Sequence, residues 1–219
     1  MRRDKGLCWL RLLCMAVATV LFTVSCSEDE SAPVPPLRME FVEAHTDAAA
    51  RVSAIKSDSG REYTVGQHIV ASVADTTYRC VCSFTLDDSE AHATVYSLQH
   101  IYSMPPSPLD DFEELSADPV NVVSVWKGGS YINMVLSVLT TGYGTHSFAF
   151  CDNGLVVEDG GVATADVSLL HKRSAEDAES FSQDVYLSMP IGGYAGLCDS
   201  MSVSIPTYQG VKKFVFENK

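Results

Sequence analysis

The chain has 219 residues, with 15 basic against 28 acidic side chains, a formal net charge of −13 and a pI near 4.7. A surface this acidic repels phosphate backbones and anionic membranes, which disfavours nucleic-acid binding. It is otherwise an ordinary charge balance for a soluble exported domain.

The N-terminus carries the three parts of an export signal. Arg2, Arg3, Lys5 and Arg11 make a basic region, residues 12–24 an apolar region, and Thr23-Val24-Ser25 a small-residue approach to Cys26. The apolar region is about 13 residues, short of the roughly 20 that a helix needs to cross a bilayer. The context Val24-Ser25-Cys26 resembles a bacterial lipoprotein signal, which predicts removal of residues 1–25 and acylation of Cys26. The signal holds four basic residues and one acidic residue, so the mature chain would keep 11 basic and 27 acidic residues, a net charge of −16. One acyl chain holds a membrane only marginally, and palmitate-type chains in the plural give stable attachment. Ser27, Glu28, Asp29 and Glu30 resemble the surface-export signal of Bacteroides-type lipoproteins, implying an outer-membrane protein facing the cell exterior.

Residues 26–37 then read as an acidic, proline-rich tether, since Pro33, Pro35 and Pro36 favour an extended chain without internal hydrogen bonds. The remaining stretch suits one large β-domain or two small ones. Residues 38–104 are expected to form a small OB-like barrel and residues 118–219 an antiparallel β-sandwich. Between them, residues 105–117 read as a linker because of Pro105, Pro106 and Pro108.

In the first domain, residues 51–56 and 61–65 flank the turn Ser57-Asp58-Ser59-Gly60. Residues 77–86 alternate, with Cys80, Cys82, Phe84 and Leu86 on one face and Arg79, Ser83 and Thr85 on the other. A second alternating run covers residues 94–102. Residues 46–54, with three alanines, read either as strand or as a short helix. About five strands in such a length suit a small closed barrel.

The second domain offers seven strand candidates, over 120–126, 131–139, 146–151, 163–170, 183–189, 200–205 and 211–216. Turns are expected at Lys127-Gly128-Gly129-Ser130 and at Asp152-Asn153-Gly154. Residues 174–180 alone look helical, with Ser174 as N-cap.

The most specific stretch is Asp118-Pro119, then Val122-Val123-Ser124-Val125-Trp126, then Gly128-Gly129-Ser130-Tyr131-Ile132-Asn133. With His171 and the ending Gly210-Val211-Lys212-Lys213-Phe214-Val215-Phe216, it resembles the NigD-like family of Bacteroides-type lipoproteins. That resemblance implies an OB-type domain followed by a β-sandwich, and it supplies no catalytic residue.

Residues that could carry chemistry are sparse. Cys80, Cys82, Cys151 and Cys198 could pair as two disulfides in an oxidising compartment or stay as buried thiols. A Cys-X-Cys metal site would need further ligands at matching geometry, and the six histidines have no ligand spacing, so no metal or cofactor is expected. No nucleophile elbow, zinc-protease helix or phosphate loop occurs. Trp126, Tyr131, Tyr143 and Tyr194 sit beside glycine-rich turns, where aromatics stack on sugars, anchor protein partners or simply plug a sandwich end. Thr76 and Ser200 fall in short motifs that resemble an O-glycosylation acceptor signal of Bacteroides-type envelope proteins. The expected function is that of a non-enzymatic surface lipoprotein presenting β-domain loops to an extracellular protein. The alternative is a glycan-binding accessory of a polysaccharide-uptake system.

Overall fold

Alternation of apolar and polar residues, broken by Gly, Pro and Asp, dictates strands nearly throughout, and strands are what form. The structure is a computed structural model that describes residues 35–112, 116–157, 161–174 and 181–218. The signal peptide, Cys26, the run Ser27 to Glu30 and nearly all of the helix expected at 174–180 lie outside the described residues. Residues 36–219 belong to one compact unit.

Five strands, β1 (Arg38–Thr46), β2 (Val52–Ser57), β3 (Glu62–Val65), β4 (Thr77–Leu86) and β5 (His92–His100), close into a barrel in the order β1-β2-β3-β5-β4. The β2–β3 hairpin turns at the expected Ser57 to Gly60, with Gly60 at φ +85° and its N–H donating to the Ser57 carbonyl. Residues 46–54 do not form the short helix that was one reading of their alanines. Asp47 accepts hydrogen bonds from the Ala49 and Arg51 backbone N–H groups, both at 2.9 Å, which closes a turn and feeds the chain into β2. Cys80, Cys82, Phe84 and Leu86 all enter the barrel core with Val42, Ile55, Tyr63 and Val95. The opposite face of β4 is also covered, since Arg79 and Val81 are buried.

What covers it is the second domain. Here β6 (Tyr102–Ser103), β7 (Ser107–Pro108), β8 (Asn121–Gly128), β9 (Tyr131–Thr140), β10 (His146–Val157), β11 (Ala163–Arg173), β12 (Phe181–Pro190), β13 (Ser200–Thr207) and β14 (Gly210–Glu217) form two sheets, β14-β13-β11-β10-β7 and β6-β12-β9-β8. All seven expected strands are present. Residues Asp152-Asn153-Gly154 do not turn the chain. They make a bulge inside β10, with Gly154 at φ +95° and its N–H donating to the Asp152 carboxylate, and the strand runs on to Val157. Most pairings are antiparallel, while β11 and β13 run parallel across the β12 crossover. The proline-rich stretch contributes one two-residue parallel strand to each sheet, β6 against β12 and β7 against β10. Between the sheets lies a core that includes Val120, Met134, Leu136, Phe150, Leu169, Leu187 and Ile205. Each such side chain contributes roughly 1.5–3 kcal/mol on burial.

Candidate functional site

The outward face of β4 meets the sheet formed by β8, β9 and β12, and every polar and aromatic group of note in the molecule's centre gathers there. Two ranks of residues make the junction. In the first, Glu43 and Arg79 are register partners on the barrel, and Asn133 and Ser188 are register partners on the sandwich. In the second, Phe41 pairs with Val81 on the barrel and Val135 with Tyr186 on the sandwich.

The first rank is a closed polar lock. The Arg79 side chain is only 4% exposed, and its Nη2 lies 2.7 Å from Asp58 Oδ1. The same guanidinium donates from Nε to Ser188 Oγ at 3.0 Å and from Nη2 to Asn133 Oδ1 at 2.9 Å. Asn133 in turn donates from Nδ2 to Asp58 Oδ2 at 2.6 Å, and Ser188 donates to Asn133 Oδ1. The guanidinium carbon stacks 3.8 Å from the centre of the Tyr131 ring, and the Tyr131 hydroxyl donates to Glu43 at 2.8 Å. Burial, helped by that carboxylate, pushes the Tyr131 phenol up to about 12. Glycine is needed where the two hairpin turns touch. A Cβ on Gly128 would overlap the Asp58 carboxylate, and one on Gly129 would sit 2.8 Å from the Asp58 carbonyl oxygen.

The second rank is apolar and partly open. Trp126 stands edge-on to Phe41 at 5.0 Å, and Tyr186 meets the same ring at 6.0 Å. Phe41, Val81, Trp126, Val135 and Tyr186 are among the residues that line a cleft of about 410 Å³. That volume falls in the range of small-ligand sites, and clefts of this kind favour domain junctions.

A second cluster lies on the β10–β11 pair. His171 Nδ1 donates to the Asp118 carbonyl at 3.0 Å, which leaves Nε2 to accept from His146 Nδ1 at 2.9 Å. Phe148 stacks on the buried His171 ring at 4.7 Å. Burial, together with the His146 ring, lowers the His171 pKa. Asp118 also holds the Arg173 N–H through its carboxylate and donates its own N–H to the His171 carbonyl. These bonds are structural struts between the start of the sandwich and β11.

Of the four loop aromatics, the fold brings Trp126 and Tyr131 together at the junction, on one hairpin. Tyr143 stands apart in the β9–β10 connection, 97% exposed. Tyr194 packs on the sandwich core and donates its hydroxyl to Asp152 at 2.7 Å, so that burial raises its pKa strongly. Thr76 is half-buried, with its N–H bonded to Thr46 Oγ1, and Ser200 shares a 2.7 Å hydroxyl contact with Thr164. Cys80, Cys82, Cys151 and Cys198 are all free and buried. Burial pushes the Cys80 thiol up to about 11 and the Cys82 thiol to about 12, far from thiolate reactivity at neutral pH. Among the described residues no cluster of His, Cys, Asp or Glu could hold a metal ion.

Sequence reasoning did not find Arg79, Asp58 and Ser188 as one site. The available signal was an arginine within an otherwise apolar strand and an asparagine between Ile132 and Met134.

The site and fold define an all-β protein in which an OB-like five-stranded barrel is clamped onto a β-sandwich. No family model matches the chain, and no curated protein matches it in sequence. In structure it is similar to a NigD-like immunity protein from Bacteroides caccae ATCC 43185, at 25% identity and a TM-score of 0.67, covering 85% of this chain and 99% of that one. It is also similar to a chain described as a toxin-related protein from Parabacteroides distasonis ATCC 8503, at 12% identity and TM-score 0.63, covering 84% and 95%. A chain described as a lipoprotein from Bacteroides fragilis NCTC 9343 matches at 12% identity and TM-score 0.59, covering 84% and 99%. The chain thus resembles a NigD-like protein in architecture, and the two 12% likenesses concern the fold alone.

Proposed function

We propose that the protein is a non-enzymatic lipoprotein of the outer-membrane surface, tethered through acylated Cys26, which presents its barrel–sandwich body to an extracellular polypeptide. The observation that carries this reading is the junction itself. Hydrogen bonds from Arg79 to Ser188 and Asn133, and from Asn133 to Asp58, join barrel to sandwich and hold an aromatic cleft in fixed shape, which suits recognition by a preorganised surface. Several groups that could do covalent or acid–base chemistry are already committed. Asp58 is paired with Arg79, His171 is buried between its two ring partners, and the Cys80 and Cys82 thiols are held protonated.

The tether rests on the sequence around Cys26, with support from the likeness to a chain described as a lipoprotein. Among the described residues no helix is long and apolar enough to cross a membrane. A polypeptide partner is favoured by the likeness to a protein described as an immunity protein, the one similar structure at 25% identity reported above.

Protease added to intact cells should clip the chain, and complete protection until lysis would overturn the outward orientation. Cells displaying the chain should retain a polypeptide from culture medium that cells without it do not. A saturable hit on a glycan array, with no polypeptide retained, would replace this reading with the glycan-binding one.

A further inference from the structure

The outer edge of β10 offers a second contact of definite chemistry, on the reading that the partner is a polypeptide. On that side β7 pairs with β10 only at Cys151 and Asp152, and the chain then leaves as the 3-10 turn Leu109–Asp111. Beyond the bulge, β10 runs on from Leu155 to Val157 with β11 on one side and no strand on the other among the described residues. β11 fixes which backbone groups point outward. At one end His171 donates its N–H to the Ser116 carbonyl and accepts from the Asp118 N–H, so its backbone faces away from β10. At the other end Ala163 accepts from the Asp199 N–H at 2.8 Å and donates to the Asp199 carboxylate at 2.9 Å, facing away in the same manner. By the alternation of an antiparallel ladder Ala165 does so too, and the register partners Val157 and Leu155 turn their own N–H and C=O groups to the open edge. Leu155, Val156 and Val157 are each more than half exposed. Leu155 and Val157 share the core-side face with Ala165 and Ala163, while Val156 shares the outer face with Thr164. Native edges are commonly blunted by lysine or proline, and this stretch carries neither.

We infer that the edge of β10 from Leu155 to Val157 takes up an extended strand of a polypeptide partner, which pairs with the free backbone groups of Leu155 and Val157 and lays alternate apolar side chains against theirs. A row of unpaired N–H and C=O groups selects an extended chain over a sugar or a helix, because only such a chain repeats donor and acceptor at the same spacing. β7 already occupies this edge in that way, and the partner's strand takes the position that β7 leaves. The outer face beside it is polar, with Asp166 bonded to Asn153, Ser202 and Lys213, so the partner's intervening side chains are polar. A second copy of this chain is opposed by the net charge of −13 that each copy carries.

The test titrates the chain beginning at Cys26 into fluorescein-labelled peptides and reads their anisotropy. The probe is an alternating Thr-Val peptide on a Gly/Ser tail, with an alternating Thr-Ser peptide as its polar control. Two further probes are N-methylated, one on every valine and one on every threonine, which blocks the donors of one strand edge at a time. The probe should bind saturably, while the polar control and only one of the methylated peptides should bind about tenfold more weakly. Val157→Pro removes an edge donor and leaves the ladder to β11 intact, so it should weaken the probe about tenfold as well. Leu155→Lys keeps every backbone group and should do the same, which covers the case of a proline variant that fails to fold by circular dichroism. Equal binding of the two methylated peptides, or unchanged binding in a folded variant, would overturn the edge pairing. No response to any peptide, while intact cells still retain a polypeptide, would overturn the edge assignment and leave the function standing. A dimer in sedimentation that Val157→Pro dissolves would overturn it by putting a second copy at the edge.

Discussion

The two ranks of the junction differ by one step of two residues along the same strands, and they do opposite things. Moving from Arg79 to Val81 on β4, and from Asn133 to Val135 on β9, changes a sealed polar lock into an open apolar cleft. The lock pairs Arg79 with Asp58 and leaves only the buried Arg79 Nη1 without a hydrogen-bond partner, so it gives fixed geometry more than binding capacity. The cleft keeps a partly exposed tryptophan on an apolar floor, so it gives binding capacity and little rigidity. Placed side by side, the first supplies the preorganisation that the second requires.

Breaking the lock should have the largest effect. Arg79→Ala leaves the buried Asn133 and the partly exposed Asp58 without their cation, and removal of one partner of a buried pair costs about 3–5 kcal/mol. Urea unfolding of the variant should show a loss of that size. Gly128→Ala pushes a methyl into the Asp58 carboxylate, an overpacking cost of about 1–3 kcal/mol by the same measurement. Tyr131→Phe removes only the hydroxyl that bonds Glu43 and keeps the ring over Arg79, for about 1 kcal/mol. Val156→Ser, on an exposed stretch of β10 far from both ranks in sequence and register, should stay within about 0.5 kcal/mol of the parent.

The histidine cluster gives a pH signature that the junction does not share. His171 has a lowered pKa in the native state, with burial as its main cause, while the unfolded chain takes up the proton at the ordinary value of 6.5. Its contribution to stability is therefore full above pH 6.5 and declines as the pH falls below it toward the lowered native value. His171→Phe should flatten the acid limb of a stability–pH profile measured between pH 7 and pH 5.

The strands were legible because their alternation is local. Cys80, Cys82, Phe84 and Leu86 read as one face before any partner strand is known, and they form the barrel core. The lock was not legible, because Arg79 looks like any solvent-facing strand residue until a second domain is laid over it. Trp126 and Tyr131 stood out from their glycine-rich setting, yet aromatics beside a tight turn look the same whether they face a ligand or another domain. Here Tyr131 supports the lock and Trp126 borders the cleft. Asp152-Asn153-Gly154 has the composition of a turn, and the same residues serve a bulge equally well, since both need a positive φ at glycine and a carboxylate to hold a free N–H.

The central claim is that the Arg79 lock makes barrel and sandwich one cooperative body. The most direct measurement is urea unfolding of the chain beginning at Cys26, in which Trp126 is the sole tryptophan, followed at once by Trp126 emission, which reports the junction, and by far-ultraviolet circular dichroism, which reports the strands. Coincident transitions that move together to lower urea in Arg79→Ala are the predicted result. A Trp126 transition that precedes the loss of strands in the parent chain, or an Arg79→Ala midpoint equal to the parent's, would contradict it.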